Sequence, residues 1–233
     1  MTAADSAIRR SSRTWDTATL RSALALYLVA DPEQSRSGDL AADIAAAIAG
    51  GVTCVQLRAK HLSDRDALDL ATGLASVCRE CNVPFLVNDR LDVALAVGAD
   101  GLHVGLSDLP VHVVRRLAGD RFVIGWSPET GEQVAASAAE GADYVGLGPV
   151  FPTGSKADAG AAIGLDGLSR RAALAGLPSV GIGGITTEST ASIIDAGTDG
   201  IAVISAILRA SDPKEAAAQL RSAVDEAIRQ RSR

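Results

Sequence analysis

The stretch GADGLHVG, residues 98–105, decides how this chain folds. A glycine, a small residue and an aspartate lead into an apolar run that closes on a second glycine. The same lead-in recurs as GADY at 141–144 and GTDG at 197–200, and GGVT at 50–53 holds an equivalent place. Glycine supplies the left-handed residue that ends a helix, and a short apolar run bounded by turn residues suits a buried strand. Each copy therefore predicts a helix end followed by a strand start. Working outward, eight such runs occur: LYLVAD (26–31), VTCVQLR (52–58), PFLVND (84–89), GLHVG (101–105), FVIGWS (122–127), YVGLGPV (144–150), SVGIGG (179–184) and GIAVIS (200–205). Several are almost continuously apolar, as strands covered on both faces are. Helix-period segments lie between them, among them Leu40–Ala49, Asp64–Cys81, Gly131–Ala139, Thr187–Ala196 and Pro213–Arg229, with Ser63 and Thr130 as caps. Eight strands alternating with helices predict an α/β fold, a single (β/α)8 TIM barrel with a parallel eight-stranded sheet. An open doubly wound sheet is the competitor, and the repeated Gly-x-Asp lead-in favours the barrel.

The composition agrees. The chain has 233 residues, 47% of them hydrophobic and only 3% aromatic, so one large core built from Ala, Val, Ile and Leu is expected. Residues 23–233 read as one domain. Residues 1–22, with Arg9, Arg10 and Arg13, read as a disordered or loosely ordered polar tail. That tail carries Asp5 and no apolar centre, which argues against a secretory signal. No apolar run is long enough to span a membrane. A net charge of −6 gives no footprint for nucleic acid. Cys54, Cys78 and Cys81 are too sparse for a disulfide framework or a zinc site, and they fit a reducing cytoplasm. Small-molecule substrates are expected as partners, and a homo-oligomer is left open.

Polar residues collect where the strands finish: Asp31; Gln56, Arg58 and Lys60; Asn88 and Asp89; His103, Gly105 and Asp108; Ser127; Thr153, Ser155 and Lys156; Gly183 and Gly184; Ser205. In a (β/α)8 barrel this end carries the active site. Gln56, Arg58 and Lys60 stand at spacing two, so a strand puts them on one face. Two inward cations need an anion nearby; ion pairing at a solvated strand end is the plainer account. Asp89 and Asp108 on neighbouring strand ends suit Mg2+, which takes one or two carboxylates plus phosphate oxygens. The plainer account here is that Asp89 pairs with Arg90 or Arg58 and Asp108 caps a helix near Leu109. His103 is expected to face the barrel interior as a hydrogen-bonded core residue, with His61 and His112 on the surface.

GPVFPTGSK, residues 148–156, leaves a strand and presents Thr153, Gly154, Ser155 and Lys156. It lacks the spacing of a Walker loop. Beside it, GIGGIT (181–186) and AVIS (202–205) end the last two strands, where such barrels often bind phosphate on backbone N–H groups. Two anion sites therefore face each other. Gln56, Arg58, Lys60, Asp89 and Asp108 suggest a metal-bound diphosphate; Thr153–Ser155, Gly184 and Ser205 suggest a monophosphate. The pattern points to two phosphorylated substrates joined with loss of pyrophosphate.

YLVAD, GVTCVQLRAK, FLVNDRLDVALAVGADGLHVG, DLP, ADYVGLGPVFPTGSK and GIGGI…AGTDGIAVIS together resemble the thiamine-phosphate synthase family over about residues 24–212. The resemblance implies a transferase of thiamine biosynthesis. It would join 4-amino-2-methyl-5-hydroxymethylpyrimidine diphosphate to thiazole phosphate, giving thiamine monophosphate and pyrophosphate with the help of Mg2+. By the same resemblance Gln56, Arg58, Lys60, Asn88, Ser127 and Lys156 contact the pyrimidine diphosphate, and Arg58, Lys60, Ser127 and Lys156 carry the catalysis. Asp89 and Asp108 hold the metal. Thr153, Gly154, Ser155, Gly184, Ile204 and Ser205 hold the thiazole phosphate. Three departures stand out: Leu106 occupies a position where the family usually has Gln, GWSPET gives Trp126, Pro128 and Glu129 where His or Thr often follows the strand-five serine, and the phosphate loop has Ser155 where Thr is common. Trp126 is expected to reshape the pyrimidine pocket. A thiazole tautomerase-like paralogue would keep the monophosphate site and lack the diphosphate set. A non-catalytic precursor-binding protein would bind without turnover.

Overall fold

A computed structural model describes residues 15–155 and 160–231. Lys156 and residues 1–14 of the expected tail lie outside the described residues. Eight parallel strands close in sequential order into one barrel: β1 Leu26–Ala30, β2 Cys54–Leu57, β3 Phe85–Asn88, β4 Gly101–Val104, β5 Val123–Trp126, β6 Tyr144–Leu147, β7 Ser179–Ile182 and β8 Gly200–Val203. The helices are α1 Thr17–Ala23, α2 Leu40–Ala49, α3 Asp64–Glu80, α4 Leu91–Val97, α5 Val111–Ala118, α6 Gly131–Glu140, α7 Gly164–Leu174, α8 Thr190–Asp195, α9 Ser205–Leu208 and α10 Pro213–Arg231. Closure is direct: Tyr27 of β1 pairs with Cys54 of β2 on one side and Ala202 of β8 on the other.

Helix starts follow local chemistry. Ser63 accepts from the Asp66 N–H, and Thr130 forms a reciprocal capping box with Gln133. Apolar residues then recur at helical spacing; Ala67, Ala71, Leu74 and Cys78 of α3 are all buried. Two helix starts differ from the pattern. α1 begins inside the stretch read as tail, because Asp16 caps it and Leu20 is buried. α8 starts three residues late, because Thr186 and Ser189 close a turn through their own hydrogen bonds.

The repeated lead-in has a structural reason. Asp100 accepts from the Phe85 N–H at 2.9 Å, Asp143 from Ile124 at 2.7 Å and Asp199 from Ser179 at 2.9 Å. Thr53 does the same for Leu26 at 2.8 Å. Each side chain thus takes a strand-start N–H of the preceding strand that the ladder leaves over, which would otherwise be costly to bury. The glycines before them, Gly51, Gly98, Gly141 and Gly197, all have positive φ, so glycine is the residue that turns the chain there at least cost. These clamps lie at the N-terminal end of the strands and leave the opposite end for other groups.

Candidate active site

A cavity of about 530 Å³ opens at the C-terminal ends of the strands, within the size range of small-molecule sites. Arg58, Lys60, Asn88, Asp89, Asp108 and Ser127 line one part of it. Thr153, Ser155, Gly184, Ile204 and Ser205 line another. Because the strands close in order, the first set on β2–β5 faces the second set on and after β6–β8 across the mouth. Two expected residues stand apart: Gln56 is 3% exposed and lies below the cavity wall, hydrogen-bonded to Tyr27, and Gly154 is not part of the lining.

Arg58 is almost fully buried and pairs with Asp31 at 2.7 Å. Asp31 also accepts from the Glu33 N–H, which holds the carboxylate still. A buried pair with this geometry fixes where the guanidinium points. Lys60 pairs with Asp89 at 3.4 Å. Arg90 turns away to Asp64 and Asp92, so neither Arg58 nor Arg90 is paired with Asp89 in the described ion pairs.

Asp89 has φ +62°, a left-handed conformation that aspartate tolerates better than most residues. Its N–H donates to the His103 carbonyl at 2.9 Å, which anchors the turn. Burial, and then the adjacent Asp108 carboxylate, push the Asp89 carboxyl up to about 6, against a smaller opposing pull from Lys60. Asp108 does not cap α5, whose first turn follows Pro110 with no side-chain cap. It accepts instead from the Gly105 N–H at 2.7 Å. Two facing carboxylates, with Asp108 helping to raise Asp89, are a place where a cation relieves repulsion. Among the described residues no group of three or more His, Cys, Asp or Glu could hold a metal. The pair therefore suits a hard cation that completes its shell with water and phosphate oxygens.

On the far side, Ser155 donates to the Ser205 hydroxyl at 3.0 Å, fastening the loop after β6 to the start of α9. The Ser155 N–H donates to Thr153 at 3.2 Å. Gly184 has φ +65°, and an added Cβ would sit 2.7 Å from the Pro152 carbonyl. Only glycine leaves room for this approach of two loops.

The chain's match to the family model described as thiamine monophosphate synthase spans residues 26–207. The chain belongs to that family. Among its relatives, the thiamine-phosphate synthase of Laribacter hongkongensis is 50% identical over 81% of this chain and 89% of its own length. That of Moorella thermoacetica is 47% identical over 78% and 86%. The solved thiamine phosphate pyrophosphorylase from Pyrococcus furiosus superimposes with a TM-score of 0.82 at 36% identity, covering 90% of this chain and 99% of that one. The departures from the family pattern differ in place: Leu106, Pro128 and Glu129 line the cavity, and Trp126 does not.

His103 is 9% exposed and hydrogen-bonded, as the sequence suggested. Sequence reasoning missed its partner Tyr144, and Tyr27 beyond it. The available signal was their rarity: the chain has two tyrosines, both in strands and both fully buried.

Proposed function

We propose that this chain joins hydroxymethylpyrimidine diphosphate to thiazole phosphate, forming thiamine monophosphate and pyrophosphate. One observation carries the reading. A single cavity sets buried Arg58, exposed Lys60 and a carboxylate pair against a separate hydroxyl-lined loop closed by Gly184. The first set suits a diphosphate and the second a monophosphate.

In this reading the bond from the pyrimidine methylene carbon to the diphosphate oxygen breaks first, and both electrons leave with the diphosphate. The thiazole nitrogen then gives its lone pair to the methylene cation. No proton is removed in forming that bond, so no general base is required. Arg58, Lys60 and Lys156 stabilise charge on the leaving group. Asn88 and Ser127 orient it. Asp89 and Asp108 are the residues that would hold Mg2+, which when bound supplies further positive charge to the diphosphate. Thr153, Ser155, Gly184, Ile204 and Ser205 seat the thiazole phosphate so that its ring meets the cation before water does. The chain's sparse cysteines, Cys54, Cys78 and Cys81, fit work in a reducing cytoplasm.

The test is to mix purified protein with both substrates and Mg2+ and follow thiamine phosphate as fluorescent thiochrome. Product that requires Mg2+, and that is lost in Asp89→Ala and Lys156→Ala, is the expected result. Tight binding of both substrates without product would overturn the reading.

A further inference from the structure

A line of hydrogen bonds crosses the barrel interior to the cavity wall, and two of its links join strands that are not neighbours. Gln56 of β2 donates through Nε2 to the Tyr27 hydroxyl of β1. Tyr27 lies 2.8 Å from the Tyr144 hydroxyl of β6. Tyr144 lies 2.9 Å from His103 Nδ1 of β4. His103 Nε2 lies 2.8 Å from Ser127 Oγ at the end of β5. β1 pairs only with β2 and β8 in the sheet, so its contact with β6 crosses the barrel interior. The space is reserved for it: a Cβ on Gly125 would strike both the Tyr144 ring and His103 Nδ1.

One assignment of protons satisfies every link in sequence. The Tyr27 oxygen accepts from Gln56 and its own proton goes to Tyr144. The Tyr144 proton then goes to His103 Nδ1, which must be the bare nitrogen. Nε2 carries the hydrogen and donates to Ser127. The serine's own proton is left to point elsewhere, and Ser127 lines the cavity. The reverse run, in which the Tyr27 oxygen accepts from both Gln56 and Tyr144, would put the hydrogen on His103 Nδ1 instead. Burial holds both tyrosines well above the ordinary phenol value, so both hydroxyls keep their protons.

We propose that Tyr27, Tyr144 and His103 are positioning residues: they hold His103 in its Nε2–H form and turn the Ser127 hydroxyl into the cavity as a hydrogen-bond donor to the departing diphosphate. The last step rests on the function proposed above; the state of the imidazole does not.

The experiment uses protein labelled with 15N in histidine. Of the chain's three histidines, His103 is identified by loss of its signal in His103→Gln. The expected spectrum shows His103 neutral with the hydrogen on Nε2. Tyr144→Phe, which keeps the ring and removes the link, is expected to shift that population toward Nδ1–H. It should also lower kcat roughly tenfold, the scale of one lost hydrogen bond, with the KM for thiazole phosphate unchanged. Tyr27→Phe should act in the same direction and less strongly. A wild-type His103 in the Nδ1–H form would overturn the proposal. So would a Tyr144→Phe enzyme with unchanged tautomer and kcat within twofold of wild type, including one that merely melts earlier. A wild-type protein that makes no thiamine phosphate would sink the function reading while leaving the imidazole result to decide the positioning role.

Discussion

The two ends of the barrel use the same residue type for opposite purposes. At the N-terminal end, Asp143 accepts from the Ile124 N–H and from Arg115 at 2.6 Å. Arg115 in turn donates to the carbonyls of Gly119, Phe122 and Gly141. Both of these charges are spent on backbone or on each other. At the C-terminal end, Asp89 faces another carboxylate and is held near 6 by burial and that neighbour. The difference teaches that a carboxylate saturated with donors maintains the fold. A carboxylate raised by its neighbours is costly to the fold alone and makes sense once something else binds.

The largest expected break in this comparison is at Asp89. Asp89→Asn should lower kcat/KM by about 10²–10³-fold, the scale of losing one preorganised electrostatic contact, without lowering the melting temperature of the metal-free protein at pH 8. A clear drop in melting temperature would place Asp89 with the structural carboxylates instead. Next is Gly184→Ala at the same end. With φ +65° and the Pro152 carbonyl in the way, it should raise the KM for thiazole phosphate about tenfold or more, by loss of one or more phosphate hydrogen bonds, and leave the pyrimidine KM alone. Steady-state kinetics with each substrate varied in turn decides this.

Asp143→Ala carries the comparison to the other end. It orphans a strand N–H and Arg115, so it should cost about 1–3 kcal/mol and lower the melting temperature by roughly 3–10 °C for a chain of this size. Activity at 20 °C should stay close to wild type; a large loss of kcat in folded protein would contradict the division of labour.

The smallest effect is in pH dependence. The Asp89 carboxyl titrates near 6 when folded against an ordinary value of 3.8. Between those values the folded chain holds a proton that the unfolded chain has lost. The metal-free protein therefore gains stability from this group as pH falls through 6. Asp108→Asn removes the repulsion, so its melting temperature relative to wild type should be higher at pH 7.5 than at pH 5. Equal differences at both pH values would mean the two carboxylates do not interact.

Much of this was legible in the sequence, for identifiable reasons. The Gly-x-Asp lead-ins marked strand starts because the glycine and the aspartate each serve a local need, a left-handed turn and a strand-start N–H. The α2 boundaries follow directly from its apolar spacing. Residues on strand ends were legible as a group because the barrel gathers them. Spacing says which face a side chain takes; it does not say what it meets across the interior. The pairing of Arg58 with Asp31, the left-handed turn at Asp89 and the line from Gln56 to Ser127 all depend on contacts between distant segments. The α1 helix was hidden for another reason: its single buried residue, Leu20, gives no periodicity to read.

One feature of the lower end reaches beyond catalysis. Arg21 in α1 meets Asp199 at 3.2 Å, and Arg231 at the end of α10 donates to the Thr198 carbonyl at 2.6 Å. The first and last helices are thus pinned to one two-residue turn. A short linker between them would close the polypeptide into a ring, which could be reopened at the exposed turn around Asn82. Such a circular permutant would deliver the strands in a new order to the same barrel and leave the mouth untouched.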